Sequence, residues 1–436
     1  MDSVFSKEQV NQAVSDLGIT DLAAATIGQV VLLAQKLEAS TGEKFIRMDQ
    51  GVPGFEPCAI GIQEEQRVLD TGIAAIYPPA DGIAPLKNEA SRFLKAFIDV
   101  DIAPSSCIPV VGSVEGSFGA FVAATQRDAK KKKVLFIDPG FPIQKSQLQV
   151  IGIEWVQFDI YDYRGDALRE KIESYLSSGE IAAIIYSNPN NPAWICLDEA
   201  ELRIIGHLAT KYDVIVLEDL AYFCMDFRKD LAHPFAAPYQ ASVARYTDNY
   251  ILMISGSKIF SYAGQRIGVL AVSDKLFKSV SADLASRYGT SGQFGATLTA
   301  SILYMITSGT THSVQYALAA MFRAASDGLF NFVDATSGYA RRAARMKKMF
   351  EENGFHVVYD RDTNNEKVGD GFFFTIGHRG MSSGELMREL IYYGITSITL
   401  TTTGSTHDGI RACTSRMTDD QFSVLENRLK LFKANH

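Results

Sequence analysis

The chain has 436 residues, 47% hydrophobic and 21% charged with 13 prolines, which excludes a disordered or collagenous protein and leaves room for more than one packed unit. Its 42 Lys and Arg against 50 Asp and Glu, a formal charge of −8, exclude the basic footprint that nucleic-acid or acidic-membrane binding requires.

In chain order, residues 1–11 carry Asp2 and Glu8 early and lack the basic-then-apolar profile of a signal peptide. The apolar stretch 22–37 is interrupted by Thr26, Gly28, Gln29, Gln35 and Lys36, too short and polar to span a bilayer. Five scattered cysteines without a Cys-x-x-Cys pair (Cys58, Cys107, Cys196, Cys224, Cys413) argue against a disulfide framework and a structural zinc site, and for a cytoplasmic protein. The basic run 130–133 reads as a solvated lead-in to a strand.

From there short apolar runs at 134–137, 181–186, 214–217, 251–254 and 269–272 alternate with helical patterns at 166–176 and 198–211, both entered through a capping aspartate. This order predicts an α/β fold: a large domain with a mainly parallel sheet flanked by helices. A long helical tract is expected from Ala296 into 332–350. Strand patterns at 356–359, 372–376, 398–400 and 410–413, with helices at 383–393 and 419–433, predict a smaller α+β domain. The expected division is residues 52–330 as the large domain and 331–436 as the small one, with the segment 1–51 packing against the latter.

Short motifs follow the predicted strands, where ligands of open α/β sheets bind. At Ser255-Gly256-Ser257-Lys258 a lysine flanked by hydroxyls ends an apolar run, and Gly264-Gln265-Arg266-Ile267-Gly268 comes soon after. A lysine there can be a plain surface charge. The string with an arginine eight residues beyond the lysine resembles the lysine segment of the class I/II aminotransferases, fold type I enzymes that use pyridoxal 5'-phosphate.

Seven further strings fit that resemblance. Asp219-Leu220-Ala221-Tyr222 is similar to the family's Asp-x-x-Tyr, and Asn188-Pro189-Asn190-Asn191-Pro192 to its Asn-Pro-x-Asn-Pro. Val111-Gly112-Ser113-Val114-Glu115-Gly116 resembles its glycine-containing helix start, Asp138-Pro139-Gly140-Phe141-Pro142 its ring-stacking segment, and Tyr77-Pro78-Pro79 a segment donated by a neighbouring subunit. Gly51-Val52-Pro53-Gly54-Phe55 and Gly409-Ile410-Arg411-Ala412 match the family's early Gly-x-Pro-x-Phe and its C-terminal arginine. Read singly, most have a plain alternative: a helix cap for Asp219, a turn for 188–192, a helix start for 112–116, a buried turn for Phe141, a turn for Tyr77, a surface charge for Arg411.

The resemblance implies a seven-stranded sheet and a role for each position. Lys258 would hold pyridoxal phosphate as an internal aldimine and then act as the base. Asp219 would pair with the cofactor's ring nitrogen and keep it protonated. Asn191 and Tyr222 would bond its phenolic oxygen, and Phe141 would stack on the ring. Gly112, Ser113, Ser255, Ser257 and Arg266 would receive the phosphate, joined by Tyr77 of a partner in a homodimer whose active sites lie at the subunit interface. Gly51, Asn191 and Arg411 would bind the substrate, Arg411 through a bidentate carboxylate pair. No metal is implied. The activity implied is amino transfer from an L-amino acid to a 2-oxo acid by a ping-pong mechanism. A lyase or decarboxylase on the same fold is the alternative, and a non-enzymatic regulator retaining the pocket is a further one.

The sequence also departs from the family. Ala193-Trp194 stands where Thr-Gly is usual, so that a tryptophan is expected to line or cap the site. Val111 replaces a hydroxyl residue. The string 401–407 replaces a Pro-Gly-x-x-Phe stretch and reads as an edge strand and turn, with His407 facing solvent. Arg287 falls where dicarboxylate-specific relatives recognise the side chain, but a helix-end charge explains it as well.

Overall fold

The computed structural model describes residues 3–436. The N-terminal segment contributes helices Lys7–Asp16 and Ile27–Thr41 and a short strand, β1 (Ile46–Arg47). Both helices open with capping boxes, Ser6 with Gln9 and Thr26 with Gln29, in which each side chain satisfies the other residue's free backbone N–H.

Seven strands then build the central sheet: β2 (Cys107–Val110), β3 (Lys133–Asp138), β4 (Trp155–Asp159), β5 (Ile181–Ser187), β6 (Ile215–Asp219), β7 (Tyr250–Ser255) and β8 (Gly268–Val272). Their spatial order is β2-β8-β7-β6-β5-β3-β4. All run parallel except β8, antiparallel to both β2 and β7. Every residue of β5, β6, β7 and β8 is buried, as expected for strands covered by helices on both faces. One apolar core lies on each face, the first joining Leu135, Ile184, Val216 and Leu252, the second Phe136, Ile185, Leu217 and Met253. The alternation of these neighbours between the cores is the period-two side-chain rule of a strand. The observed large, mostly parallel sheet with flanking helices is the predicted fold class.

The C-terminal part forms an antiparallel sheet from β9 (Phe355–Val357), β10 (Phe373–His378), β12 (Ile398–Thr399) and β13 (Ile410–Cys413), in the order β12-β13-β10-β9. Strand β11 (Ile395–Thr396) pairs instead with β1, in parallel. A third core unites Phe5, Val10, Leu33 and Met48 with Met346, Phe374, Leu390 and Phe432, so the chain's beginning is buried against its end.

The expected long helical tract is interrupted. Residues 294–307 form one helical stretch whose middle, Thr297–Leu303, is π-helical. Ser308 and Gly309 then take positive φ values of 56° and 111°, which turn the chain into helix His312–Ser326. A further break around Gly328, with φ +71°, precedes Phe332–Thr336 and Gly338–Glu352. Helical periodicity continues across these breaks, so apolar spacing alone does not register them.

The two sheets meet along a polar seam. Asp362, between β9 and β10, accepts from Arg164 Nη2 and Arg228 Nη2, each at 3.0 Å, and from the Cys196 N–H at 3.2 Å. Arg164 also forms a fork onto Glu201 at 2.7 and 2.9 Å. Tyr359 and Tyr161 complete the strap, their hydroxyls donating to Asp159 Oδ2 at 2.6 Å and Asp360 Oδ1 at 2.7 Å. The string 401–407 is part of the same seam. It is a tight turn (Thr401–Thr403) and not an edge strand: Gly140 N–H donates to Thr403 O at 2.8 Å. His407 stands 3.3 Å from Asp162, its side chain about one-third exposed.

Candidate active site

The chemistry-bearing strings lie on one edge of the large sheet because their strands end in register. Val110 pairs with Gly268, Gly268 with Ser255, and Asp219 with both Ser187 and Met253. Residues 111–113, 188–192, 219–222 and 255–258 therefore leave the sheet side by side, and Arg266 enters β8 at the same edge.

The first cluster gathers donors of the kind that receive an anion. Helix Gly112–Gln126 starts directly after β2 without a side-chain cap, leaving its first N–H groups to a ligand. Gly112 has φ +71°, and a Cβ there would lie 2.4 Å from Arg266 Nη2. Glycine thus admits the guanidinium to the helix start. A Cβ on Gly268 would lie 3.3 Å from the Ser113 nitrogen, and Ser255 Oγ donates to Ser257 Oγ at 2.8 Å. Gly112, Ser113, Ser255, Ser257 and Arg266 are one neighbourhood of N–H groups, hydroxyls and a fixed positive charge.

The second cluster brings distant parts of the chain together. Lys258, in the turn of helix after β7, donates through Nζ to the Gly51 carbonyl, and its amine stands 5.4 Å from the Phe372 ring centroid. Burial pushes this amine down to about 8, with the charges of Arg411 and Arg266 adding to the fall and Cys413 opposing it. Arg411, on β13 and 1% exposed, donates through Nη2 to Asp49 O at 2.5 Å and through Nη1 to Asn191 Oδ1 at 3.2 Å. Its Nε has no partner among the described residues. Its guanidinium lies 4.5 Å from the centroid of Phe373, and a Cβ on Gly51 would come 2.9 Å from that same ring.

Asp219 closes β6 as a buried carboxylate held only by neutral donors, Gln144 Nε2 at 3.0 Å and the Ala221 N–H at 3.1 Å. Burial pushes it up to about 6, against the pull of these two bonds. Tyr222 is buried, its ring 5.4 Å from Phe372 and 5.5 Å from Phe373.

Residues 43–429 match the Aminotransferase class I and II family. The chain belongs to that family. Its members depend on pyridoxal phosphate. The chain is similar to a probable aspartate aminotransferase of Methanocaldococcus jannaschii, 26% identical over 235 residues, or 54% of this chain and 59% of that protein. It is equally similar to an aspartate aminotransferase of Pyrococcus horikoshii, 26% identical over 247 residues, 56% and 59% of the two chains. The matched stretch thus spans less than two thirds of these relatives. In fold it resembles the aspartate aminotransferase of Thermus thermophilus solved with maleate, with a TM-score of 0.74, 16% identity, and 94% and 96% of the chains covered.

The site's residues fit the family's cofactor. A buried carboxylate held by neutral donors, a buried amine near neutrality and an uncapped helix start beside an arginine are three groups with bonding capacity to spare. A ligand with a protonated ring nitrogen, a carbonyl carbon and a phosphate answers all three. Gly51, Asn191, Tyr222, Lys258 and Arg411 stand together, and Asp219 adjoins them through Tyr222. Phe141 caps helix Pro142–Ile151, half-buried, three residues before Gln144. Tyr77 lies apart from the cluster, 85% exposed, beside exposed Ile76 and Leu69. Arg287 sits in helix Ala282–Tyr288 at the opposite side of the large sheet's strands, lining a surface cavity with Lys130 and Glu154.

Sequence reasoning passed over Gln144, Phe372 and Phe373. Gln144 carries a usable signal, a polar residue one helical turn inside a helix that begins at a site loop. The two phenylalanines read as ordinary strand core, and only the cross-sheet pairing of β10 with β13, Thr375 opposite Arg411, sets them beside the arginine.

Proposed function

We propose that this chain is a pyridoxal phosphate-dependent aminotransferase that moves the amino group of an L-amino acid to a 2-oxo acid by a ping-pong mechanism. The observation that carries the reading is the pairing of Lys258 with Arg411: an amine held down to about 8 beside a buried guanidinium with an unpartnered Nε. A guanidinium with one edge tied to Asp49 and Asn191 and donor capacity to spare suits a carboxylate. An amine close to neutral pH suits the taking and giving of a proton.

In this reading Gly112, Ser113, Ser255, Ser257 and Arg266 hold the phosphate, and Asp219 holds the ring nitrogen. Asn191 and Tyr222 reach the phenolic oxygen, and Phe141 covers the ring. When bound, pyridoxal phosphate supplies the electron sink and the carrier of the amino group. Arg411 fixes the substrate carboxylate, which orients the α-carbon toward Lys258. Lys258 would take the proton from that carbon and hand it on, acting as the base and then as the acid. Gln144 and the Ala221 N–H keep the Asp219 carboxylate ionised and aimed, so the ring nitrogen stays protonated. The oxo acid leaves before the acceptor enters, and the same residues run the steps in reverse.

Exposed Leu69, Ile76, Tyr77, Met305 and Ile306 support a homodimer in which Tyr77 serves the partner's phosphate group. Five unpaired thiols support a cytoplasmic location. Among the described residues no helix is long and apolar enough to cross a membrane.

The test is to load purified protein with pyridoxal phosphate, present a panel of amino acids and follow both the visible absorption and the released acid. Conversion of the bound cofactor to its amino form with release of the matching 2-oxo acid supports transamination. Release of ammonia with pyruvate, or of carbon dioxide, overturns it in favour of a lyase or decarboxylase.

A further inference from the structure

Trp194 follows Asn191-Pro192 by two residues, and its surroundings give it a task. It is 0% exposed and holds a φ of +61°, a conformation that costs a large side chain energy. Its Nε1 has no partner among the described residues, so hydrogen bonding does not account for an indole at this position. Packing does. The indole meets the Tyr222 ring edge-on at 5.4 Å and the Phe373 ring at 6.5 Å. From the far side Gly371 leaves it room: a Cβ there would stand 2.1 Å from the indole carbons. The backbone fixes it too, since its N–H donates to Asn190 O at 3.0 Å and the Ala193 N–H donates to Asn190 Oδ1 at 3.0 Å.

The two rings that Trp194 touches belong to the two halves of the site. Tyr222 is assigned to the cofactor's oxygen, and Phe373 forms the floor under the Arg411 guanidinium at 4.5 Å. Tyr222 and Phe373 also touch each other at 5.5 Å, so the three rings form a closed triangle. We propose that Trp194 is a positioning residue that fixes the Tyr222 ring and the Phe373–Arg411 stack together, joining cofactor tuning and carboxylate binding through one indole. This rests on the reading of the site given above. An edge-on aromatic pair is attractive beyond its buried area and favours one mutual orientation, which is what sets the place of the Phe373 ring.

The experiment compares wild-type holoenzyme with Trp194→Leu and Trp194→Phe, all loaded with pyridoxal phosphate. Two readouts are taken: the pH at which the bound cofactor's visible absorption switches, and the affinity for propionate as a carboxylate probe of Arg411. Trp194→Leu is expected to move the switch by roughly half a pH unit or more and to weaken propionate binding roughly threefold or more, and Trp194→Phe to restore much of both. A Trp194→Leu enzyme that loads fully yet leaves both readouts unchanged, or moves only one, overturns the proposal. Should that variant fail to fold, Gly371→Ala decides: it keeps the indole but takes its room, and must move the same two readouts together. Trp194 and Trp155 are the chain's 2 tryptophans, so in Trp155→Phe protein the remaining emission must fall when pyridoxal phosphate binds. Wild-type protein that never acquires the visible band overturns the cofactor reading itself and this inference with it.

Discussion

The edge of the large sheet and the seam between the sheets face the same site but are built differently. At the edge each functional group sits within four residues of a strand end: Asp219 closes β6, Lys258 follows β7 by three residues, and Asn191 follows β5 by four. At the seam the partners are remote in sequence. Asp362 meets Arg164 across 198 residues and Tyr359 meets Asp159 across 200. The edge therefore carries its chemistry as short strings. The seam carries geometry, through buried ion pairs whose worth depends on all members being present.

The largest effect is expected at the edge. Lys258→Ala should lower amino exchange by roughly 10²–10⁴-fold or more while leaving the melting temperature within a few degrees, measured by single-turnover absorbance and calorimetry. At the seam Asp362→Asn should do the reverse. It takes one carboxylate from Arg164 and Arg228, which keep Glu201 and Asp226, and should cost about 1–3 kcal/mol of stability in denaturant titration, with cofactor loading preserved. A Lys258 variant that unfolds, or an Asp362 variant that melts normally but no longer loads, breaks the contrast.

Arg411 belongs to both regions, and Arg411→Lys should weaken carboxylate binding by about 2 kcal/mol, because an ammonium keeps the charge but loses the fork. The expected signature is a raised KM with a smaller change in kcat. Gln144→Leu removes one of the two bonds that favour the ionised Asp219 and should weaken cofactor affinity near neutral pH by about 1.5–3 kcal/mol, the loss shrinking as pH rises.

A different kind of effect is in the pH dependence of cofactor-free protein. Burial raises Asp219 and Asp138 to about 6 and Glu218 to about 7. Each folded-state value lies above the ordinary one, so the folded chain holds these protons more tightly. The stability they lend is fully present below about 4 and is lost as pH rises through 6 to 7, by at most about 1.4 kcal/mol per unit for each group. Calorimetry of the cofactor-free form should follow this slope, and pyridoxal phosphate should flatten it by pairing Asp219.

The sequence carried the architecture where strands are long and wholly apolar, as in β5 and β7. It missed β2 and β4, which lie at the two edges of the sheet. One contains Pro109 and the other alternates Val156, Gln157 and Phe158, so neither forms the continuous apolar run of a buried parallel strand. The helix Glu199–Lys211 was legible through its Asp198 cap, whereas Asp166–Leu176 has Gly165 at its N-cap and Asp166 caps nothing, so there the apolar spacing was the signal. The site was legible as far as strand ends define it. Phe372, Phe373 and the Asp362 strap were not, since tertiary pairing alone gives them a role.

All five thiols are buried, none more than 8% exposed, and burial raises every one, Cys107 to about 12. A buried thiol with a raised pKa does not meet an alkylating reagent until the structure around it opens. Cys196 lies under the Asp362 strap, Cys413 on the strand that carries Arg411, and Cys107 on the sheet's edge strand. Alkylation followed cysteine by cysteine in a mass spectrometer would thus act as five stopwatches, timing the order in which strap, substrate strand and sheet edge let go.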